Sequence, residues 1–289
     1  MLFNLFNALK RYAGRPAFFI DGRYFSYSQL DHLSARLSFY LSTDAFLKEP
    51  LIGVLLKNNI KTYASILGVL FAGKGFVPIH PDLPAERILS IIRQAGIKTI
   101  VTSSIQDAAL NLGSATLVNF DQLEDPSSGT NDAIALDVEE DTVAYIMFTS
   151  GSTGKPKGVP ITHKNLSAFS DSFFDCTPAL NEHDRVLQMF ELTFDFSISA
   201  YLLPLTQGAC VCCPPAQGIK HFEILDYLTK AQITVTPMVP SVINLLRPYF
   251  DQIHLPRIKH AYFCGEALYL DVINGWKKCL PNAVMQNFY

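Results

Sequence analysis

Short, almost wholly apolar runs recur along this chain, and segments with helical spacing separate them. Residues 51–57 (LIGVLLK), 76–79 (FVPI), 98–102 (KTIVT), 115–120 (ATLVNF) and 142–148 (TVAYIMF) have strand character. Between them, NIKTYASILGVLFAG and PAERILSIIRQAG have helical spacing, the second opening at Pro84 and stopping at Gly96. Strands that are apolar on both faces belong in sheets covered on both sides. Alternation of such strands with helices makes the sheets mostly parallel.

The second half repeats the rhythm. DRVLQMF, ACVCC, ITVTPM, IKHAYFC and AVMQNFY are strand-like, with HFEILDYLTKAQ, SVINLLRPYF and ALYLDVINGWKKCL as helices between them. At the start, Leu2, Phe3, Leu5, Phe6 and Leu9 give MLFNLFNALKRYAGRP the apolar side of a short amphipathic helix. SYSQLDHLSARLSFYL sets Leu30, Leu33, Leu37 and Leu41 on one helical face. Residues 121–140 are polar and turn-rich, and predict a surface connection. The fold class expected is α/β, with two mostly parallel sheets flanked by helices in two lobes. Lobe one covers about 51–165, and lobe two about 1–50 plus 166–289, with ligands bound beyond the carboxyl ends of strands.

Composition narrows the partners. The 289 residues are 49% hydrophobic and 17% charged, enough for a sizeable core. The net charge is -3 with the two signs interleaved, so nucleic acid is not an expected partner. No uncharged apolar run reaches spanning length, and the N-terminus lacks the order of a signal peptide, so no membrane partner is expected. Cys210, Cys212 and Cys213 sit in an apolar run that reads as a buried strand with free thiols, which fits a cytoplasmic location.

Chemistry concentrates in residues 149–158, Thr149-Ser-Gly-Ser-Thr-Gly-Lys-Pro-Lys-Gly158, directly after the 142–148 run. Three glycines, four hydroxyls and two lysines fall within ten residues. Glycines let backbone N–H groups turn toward an anion, hydroxyls add donors, and lysines add charge. A polyphosphate needs those features. The spacing excludes a Walker P-loop: Gly151 and Gly154 stand too close, and Pro156 occupies the place of the magnesium-binding hydroxyl. Val159–Thr162 reads as a strand, so the phosphates would be gripped by the loop and not by a helix dipole. A flexible hairpin tip is the plain reading of such a composition.

Together with Thr162-His163-Lys-Asn165-Leu166, the stretch YIMFTSGSTGKPKGV resembles the phosphate-loop signature of the adenylate-forming superfamily. That group includes acyl-CoA synthetases, luciferases, D-alanine–carrier protein ligases and peptide-synthetase adenylation domains. Further matches follow in order. Phe25–Leu30 and Leu70–Pro81, with Pro84 and Arg87, resemble architectural motifs, His80 standing where the family usually has Asp. Cys264-Gly265-Glu266-Ala267-Leu268 resembles the segment lining the adenine and acyl site, and Asn287-Phe288-Tyr289 the start of the NxYGPTE motif.

The resemblance implies roles. Thr149, Ser150, Gly151, Ser152, Thr153, Gly154 and Lys157 would hold ATP phosphates, with Lys157 acting in catalysis. Gly265, Glu266, Asn287, Phe288 and Tyr289 would hold the adenylate, the tyrosine ring stacking on adenine. Asp195, in Phe194-Asp195-Phe196-Ser197, matches the aspartate that binds an amino-acid ammonium in amino-acid-adenylating members. Its other reading is a helix N-cap before the run Ile198, Tyr201, Leu202 and Leu205. Phe194, Phe196, Ser199, Pro237, Tyr262, Cys264 and Phe288 would line the acyl site, and their bulk hints at a small side chain. ATP and Mg2+ are the implied cofactors, and no residue is assigned to a metal.

The implied reaction joins a carboxylate to AMP with release of pyrophosphate, then passes the acyl group to a thiol of a phosphopantetheine carrier protein or CoA. The chain stops at Tyr289, before Gly-Pro-Thr-Glu and the C-terminal catalytic domain of the family, so this fragment alone is expected to be inactive. Rival readings are an acyl- or aryl-CoA ligase and a non-catalytic nucleotide-binding relic.

Overall fold

The computed structural model describes residues 1–125, 138–150, 156–215 and 221–288. In chain order the elements are α1 (Leu2–Arg11), β1 (Pro16–Ile20), β2 (Arg23–Ser26), α2 (Tyr27–Leu41), β3 (Leu51–Leu55), α3 (Ile60–Phe71), β4 (Gly75–Ile79), α4 (Ala85–Ala95), β5 (Thr99–Thr102) and β6 (Thr116–Asn119). Then follow β7 (Val143–Ser150), β8 (Pro156–Thr162), α5 (His163–Cys176), β9 (Arg185–Leu187), α6 (Ser197–Thr206) and β10 (Cys210–Cys213). The last are α7 (His221–Lys230), β11 (Val235–Met238), α8 (Pro240–Leu246), β12 (His260–Phe263), α9 (Leu270–Cys279) and β13 (Val284–Asn287). The chain divides into two compact units.

The first unit comprises Met1–Ala13, Tyr27–Ser172 and Leu192–Asp195. Its six-stranded sheet has the order β6-β5-β3-β4-β7-β8, parallel except for β8 against β7. Prolines 156 and 160 are tolerated in β8 because it is an edge strand. α4 turns Ile88, Ile91 and Ile92 onto Leu55, Val77, Ile79 and Ile100 of one face. It stops at Gly96, whose φ of 63° is left-handed and suits glycine. Every residue of α3 except Lys61 is buried, which matches its apolar run Ile66–Phe71. Asn59 caps it by accepting from the Thr62 N–H at 3.1 Å. The Lys74 ammonium is buried and donates to the carbonyls of Phe46 (2.6 Å) and Glu49 (2.9 Å). Burial pushes its pKa down, against the charge of Glu49.

The second unit comprises Gly14–Ser26, Phe173–Glu191 and Phe196–Tyr289. Its seven-stranded sheet has the order β13-β12-β11-β9-β10-β1-β2, parallel except for β2 against β1. Elements α7, α8 and α9 supply Ile224, Leu228, Ile243, Leu246, Val272 and Trp276 to a core over Leu187, Cys210, Cys212, Ala261 and Phe263. Cys210, Cys212 and Cys213 are buried and no disulfide joins them. Trp276 is fully buried against Phe250, with ring centroids 5.5 Å apart.

The division departs from the expected lobes at 166–172 and 192–195, which belong to the first unit, and most widely at the N-terminus. Residues 1–13 and 27–50 belong to the first unit, and only 14–26 to the second. The reason is a hairpin that the sequence reading passed over. β1 and β2 are joined by Asp21 (φ 48°) and Gly22 (φ 76°), and β1 lies parallel to β10. Two smaller corrections follow. Phe3 is 60% exposed, so α1 buries Leu2, Leu5, Ala8 and Leu9 instead. The expected helix 241–250 is α8 followed by a 3-10 turn from Arg247, because Pro248 lacks an N–H to continue the α pattern.

At the amino ends of β9, β11 and β12 lies a polar cluster with no sequence signature. Asp184 is 1% exposed and accepts from Thr234 Oγ1 (2.9 Å), Lys259 Nζ (2.9 Å) and the Asn181 N–H (3.0 Å). His260 lies beside it, its ring parallel to that of Tyr262 at 6.2 Å. Its Nδ1 is buried without a hydrogen-bond partner among the described residues. Burial lowers its pKa; Asp184 works against the shift and Lys259 with it. Buried His163 is shifted down in the same way. An unfolded histidine takes up a proton below about pH 6.5 that these folded ones resist, so stability is full above that value and falls as pH drops through it. Urea midpoints measured at pH 7.5 and 5.5 should therefore differ, and His260→Gln should shrink the difference. An unchanged difference would refute the assignment.

Candidate functional site

The β7–β8 hairpin builds the first part of the site. Its register sets Thr149 opposite Lys157 and Ser150 opposite Pro156. Thr149 Oγ1 donates to the Lys157 carbonyl at 3.5 Å, and both residues are exposed. A hydroxyl and an ammonium at the tip of paired strands suit an anionic phosphate chain. Gly151, Ser152, Thr153 and Gly154 lie outside the described residues. The helix that follows this strand is α5, and its opening is an Asn165–Thr162 exchange: Asn165 Oδ1 accepts from the Thr162 N–H (3.1 Å) and Thr162 Oγ1 accepts from the Asn165 N–H (3.2 Å).

Asp195 belongs to the first unit, and its charge acts on Tyr145 of β7. The tyrosine pKa is pushed up to about 12, mainly by burial and then by Asp195. Asp195 is exposed and Phe194 half-buried. The N-cap reading of Asp195 is not what the structure has: Phe196 occupies the cap position of α6. The Phe196 carbonyl accepts from the Ser199 N–H (3.1 Å) and Ser199 Oγ (2.7 Å). The Ser199 hydroxyl is thus committed to its own helix.

In the second unit, the carboxyl ends of β11, β12 and β13 lie side by side. Pro237 pairs with Tyr262, and Asn287 with Phe263. Cys264 is fully buried just past β12. Gly265 then turns the chain with φ 80°, a conformation that costs other residues roughly 1–2 kcal/mol. This turn aims Glu266 at the start of α8, where its carboxylate accepts from the Ser241 N–H (2.7 Å) and Ser241 Oγ (2.9 Å). The Glu266 carboxylate therefore neutralises a helix N-terminus in this structure. Asn287 is exposed at the end of β13, and Tyr289 lies outside the described residues.

Phe196, Tyr262 and Phe288, three of the expected acyl-site residues, come together. Phe288 meets Phe196 at 5.2 Å and Tyr262 at 5.6 Å, both edge to face. Burial raises the Tyr262 pKa to about 12. Two further aromatics complete the group: Phe173 stacks on Phe288 at 5.5 Å, and Phe190 meets Phe196 edge-on at 5.6 Å. Nothing in the sequence marked these two, because each lies in a segment without a motif.

His80 is a turn residue, its Nδ1 accepting from the Asp82 N–H at 3.2 Å. Among the described residues no group of three or more His, Cys, Asp or Glu is placed to hold a metal ion. Among them, too, no helix is long and apolar enough to cross a membrane.

Comparison with known proteins adds an independent measure. The profile of a family described as "AMP-binding enzyme" matches residues 5–289. Nonribosomal peptide synthetase 32 of Fusarium pseudograminearum is 30% identical over 256 residues, 87% of this chain and 3% of that protein. Nonribosomal peptide synthetase ivoA of Emericella nidulans is 32% identical over 254 residues, 87% of this chain and 14% of that protein. The chain thus spans only a small part of these relatives. The solved adenylation domain AlmE of Vibrio cholerae, in complex with glycyl-adenosine-5'-phosphate, has a TM-score of 0.85 at 22% identity, covering 99% of this chain and 59% of that one. The NpsA N-terminal subdomain of Klebsiella oxytoca has a TM-score of 0.83 at 18% identity, covering 99% and 73%. At these identities the two structures bear on the fold.

Proposed function

Because the chain belongs to the family of AMP-binding enzymes, we propose that it takes part in the ATP-dependent activation of a small amino acid for transfer to a thiol. An oxygen of the substrate carboxylate attacks the α-phosphorus of ATP. The bond to the β-phosphate breaks, pyrophosphate leaves, and an aminoacyl adenylate remains. The thiol of a carrier-protein phosphopantetheine then displaces AMP. Such chemistry asks the protein mainly to position reactants and neutralise charge.

Thr149, Ser150 and Lys157, with the loop they bracket, would hold the phosphates. Magnesium would accompany the nucleotide and reduce the repulsion among its phosphates. Gly265, Asn287 and the chain beyond would hold the adenosine side. Pro237, Tyr262, Cys264 and Phe288 would border the acyl group.

Asp195 carries the amino-acid half of the reading. Its exposed carboxylate immediately precedes the helix that supplies Phe196 and Ser199. An ammonium taken out of water needs such a partner. The test is titration of the 289-residue chain with alanyl-sulfamoyl adenosine and with its propionyl counterpart, which lacks the amine. Asp195→Ala should weaken the alanyl compound roughly 10- to 100-fold, the worth of about 1.5–3 kcal/mol for a hydrogen bond to a charged group. It should leave the propionyl compound nearly unchanged. Equal behaviour of the two compounds would transfer support to an acyl- or aryl-CoA ligase.

A further inference from the structure

We propose that Phe173 sets the upper size of the acyl side chain by holding Phe288 in place from the core side. The inference rests on the amino-acid-activation reading and goes beyond it by naming a positioning residue outside every recognised motif. Phe173 is sealed, at 2% exposure, whereas Phe288 is half-buried. The two rings are stacked, 5.5 Å apart with 15° between their planes. Phe173 also meets Tyr262 edge-on at 5.7 Å and Phe174 at 5.6 Å. Phe288 is therefore backed by Phe173 and flanked by Tyr262 and Phe196.

Three ring contacts of this kind fix both side-chain angles of Phe288. Its backbone is fixed as well, since its N–H donates to the Phe263 carbonyl at 2.9 Å. The ring can retreat from the carboxyl ends of the strands only into the volume that Phe173 fills. Removing Phe173 opens that volume, and the cheapest way to refill a core void is for a neighbouring group to move into it. The half-buried ring is the group best able to move. Space is then gained in front of Phe288, where an acyl side chain would lie.

The experiment is a ladder of sulfamoyl adenosines carrying glycyl, alanyl, leucyl and phenylalanyl groups, titrated against the wild-type chain, Phe173→Ala and Phe173→Leu. Wild type should weaken as the side chain grows. In Phe173→Ala the glycyl-to-leucyl affinity ratio should fall at least tenfold, within the roughly 10- to 200-fold that one methylene of misfit commands. Phe173→Leu, which keeps more of the buried volume, should lie between. The ratio within one preparation does not depend on how much of it is folded, so a merely structural role would leave it unmoved. A ratio unchanged in both variants, with all affinities reduced alike, overturns the proposal for Phe173 alone. Failure of wild type to bind any member of the ladder overturns the activation reading together with it.

Discussion

Alanine in place of Asp184 is expected to cost the second unit about 3 kcal/mol. Breaking a buried ionic group away from its partners typically costs about 3–5 kcal/mol. The lower end applies because Lys259, its cationic partner, is 48% exposed on its side chain and can turn to water. What cannot rehydrate easily is the Thr234 hydroxyl, which is buried and donates to Asp184 while accepting from the Arg185 N–H at 2.9 Å. The Asn181 N–H loses its acceptor too. Three strand entrances are tied by this one carboxylate, so its loss should loosen them together. Asp184→Asn keeps the volume and one acceptor, and should recover about half. Urea unfolding followed by circular dichroism measures both variants, and a cost under about 1 kcal/mol for the alanine variant would show the cluster to be dispensable.

The second large effect is expected at Gly75, where β4 meets β7. A Cβ added there would lie 2.5 Å from the Val143 carbonyl oxygen and 2.8 Å from Leu51 Cδ2. The leucine tip can rotate away. The carbonyl belongs to the backbone of a neighbouring strand and cannot move without parting β4 from β7. Overpacking against flexible atoms costs about 1–3 kcal/mol, and against backbone the upper end or more is expected. Gly75→Ala should therefore destabilise the first unit by about 3 kcal/mol. It should also weaken adenylate mimics, since β7 carries Thr149 and Ser150. A variant with wild-type stability and wild-type binding would show that the two strands yield easily.

Some elements were legible because one local signal decided them. The runs at 51–57, 76–79 and 142–148 are short and almost wholly apolar, and their length suits strands covered on both faces better than helices. Gly96 marked the end of α4 because a left-handed residue closes a helix there. β1 and β2 were missed although Asp21-Gly22 is a hairpin turn in the sequence. The partner of β1, residues 210–213, stands far along the chain, so no local pattern could supply that pairing.

At the candidate site, contiguous motifs single out residues 149–158, 194–197, 264–268 and 287–289 in the sequence, whereas residues defined by packing alone carry no such mark. Phe173, Asp184 and His260 acquire meaning only from what the fold sets beside them. Glu266 shows the converse. Its motif was recognised, but its bonds to Ser241 exist only because Gly265 turns the chain toward α8.

Trp276 is the one tryptophan in 289 residues, and it sits wholly inside the second unit. Light emitted at its wavelength therefore comes from a single, known address. A melt recorded by that emission follows the seven-stranded sheet and its helices, while circular dichroism sums over both units. Disagreement between the two curves would mean that the halves of this molecule come apart at different temperatures, and the protein carries the dye needed to see it.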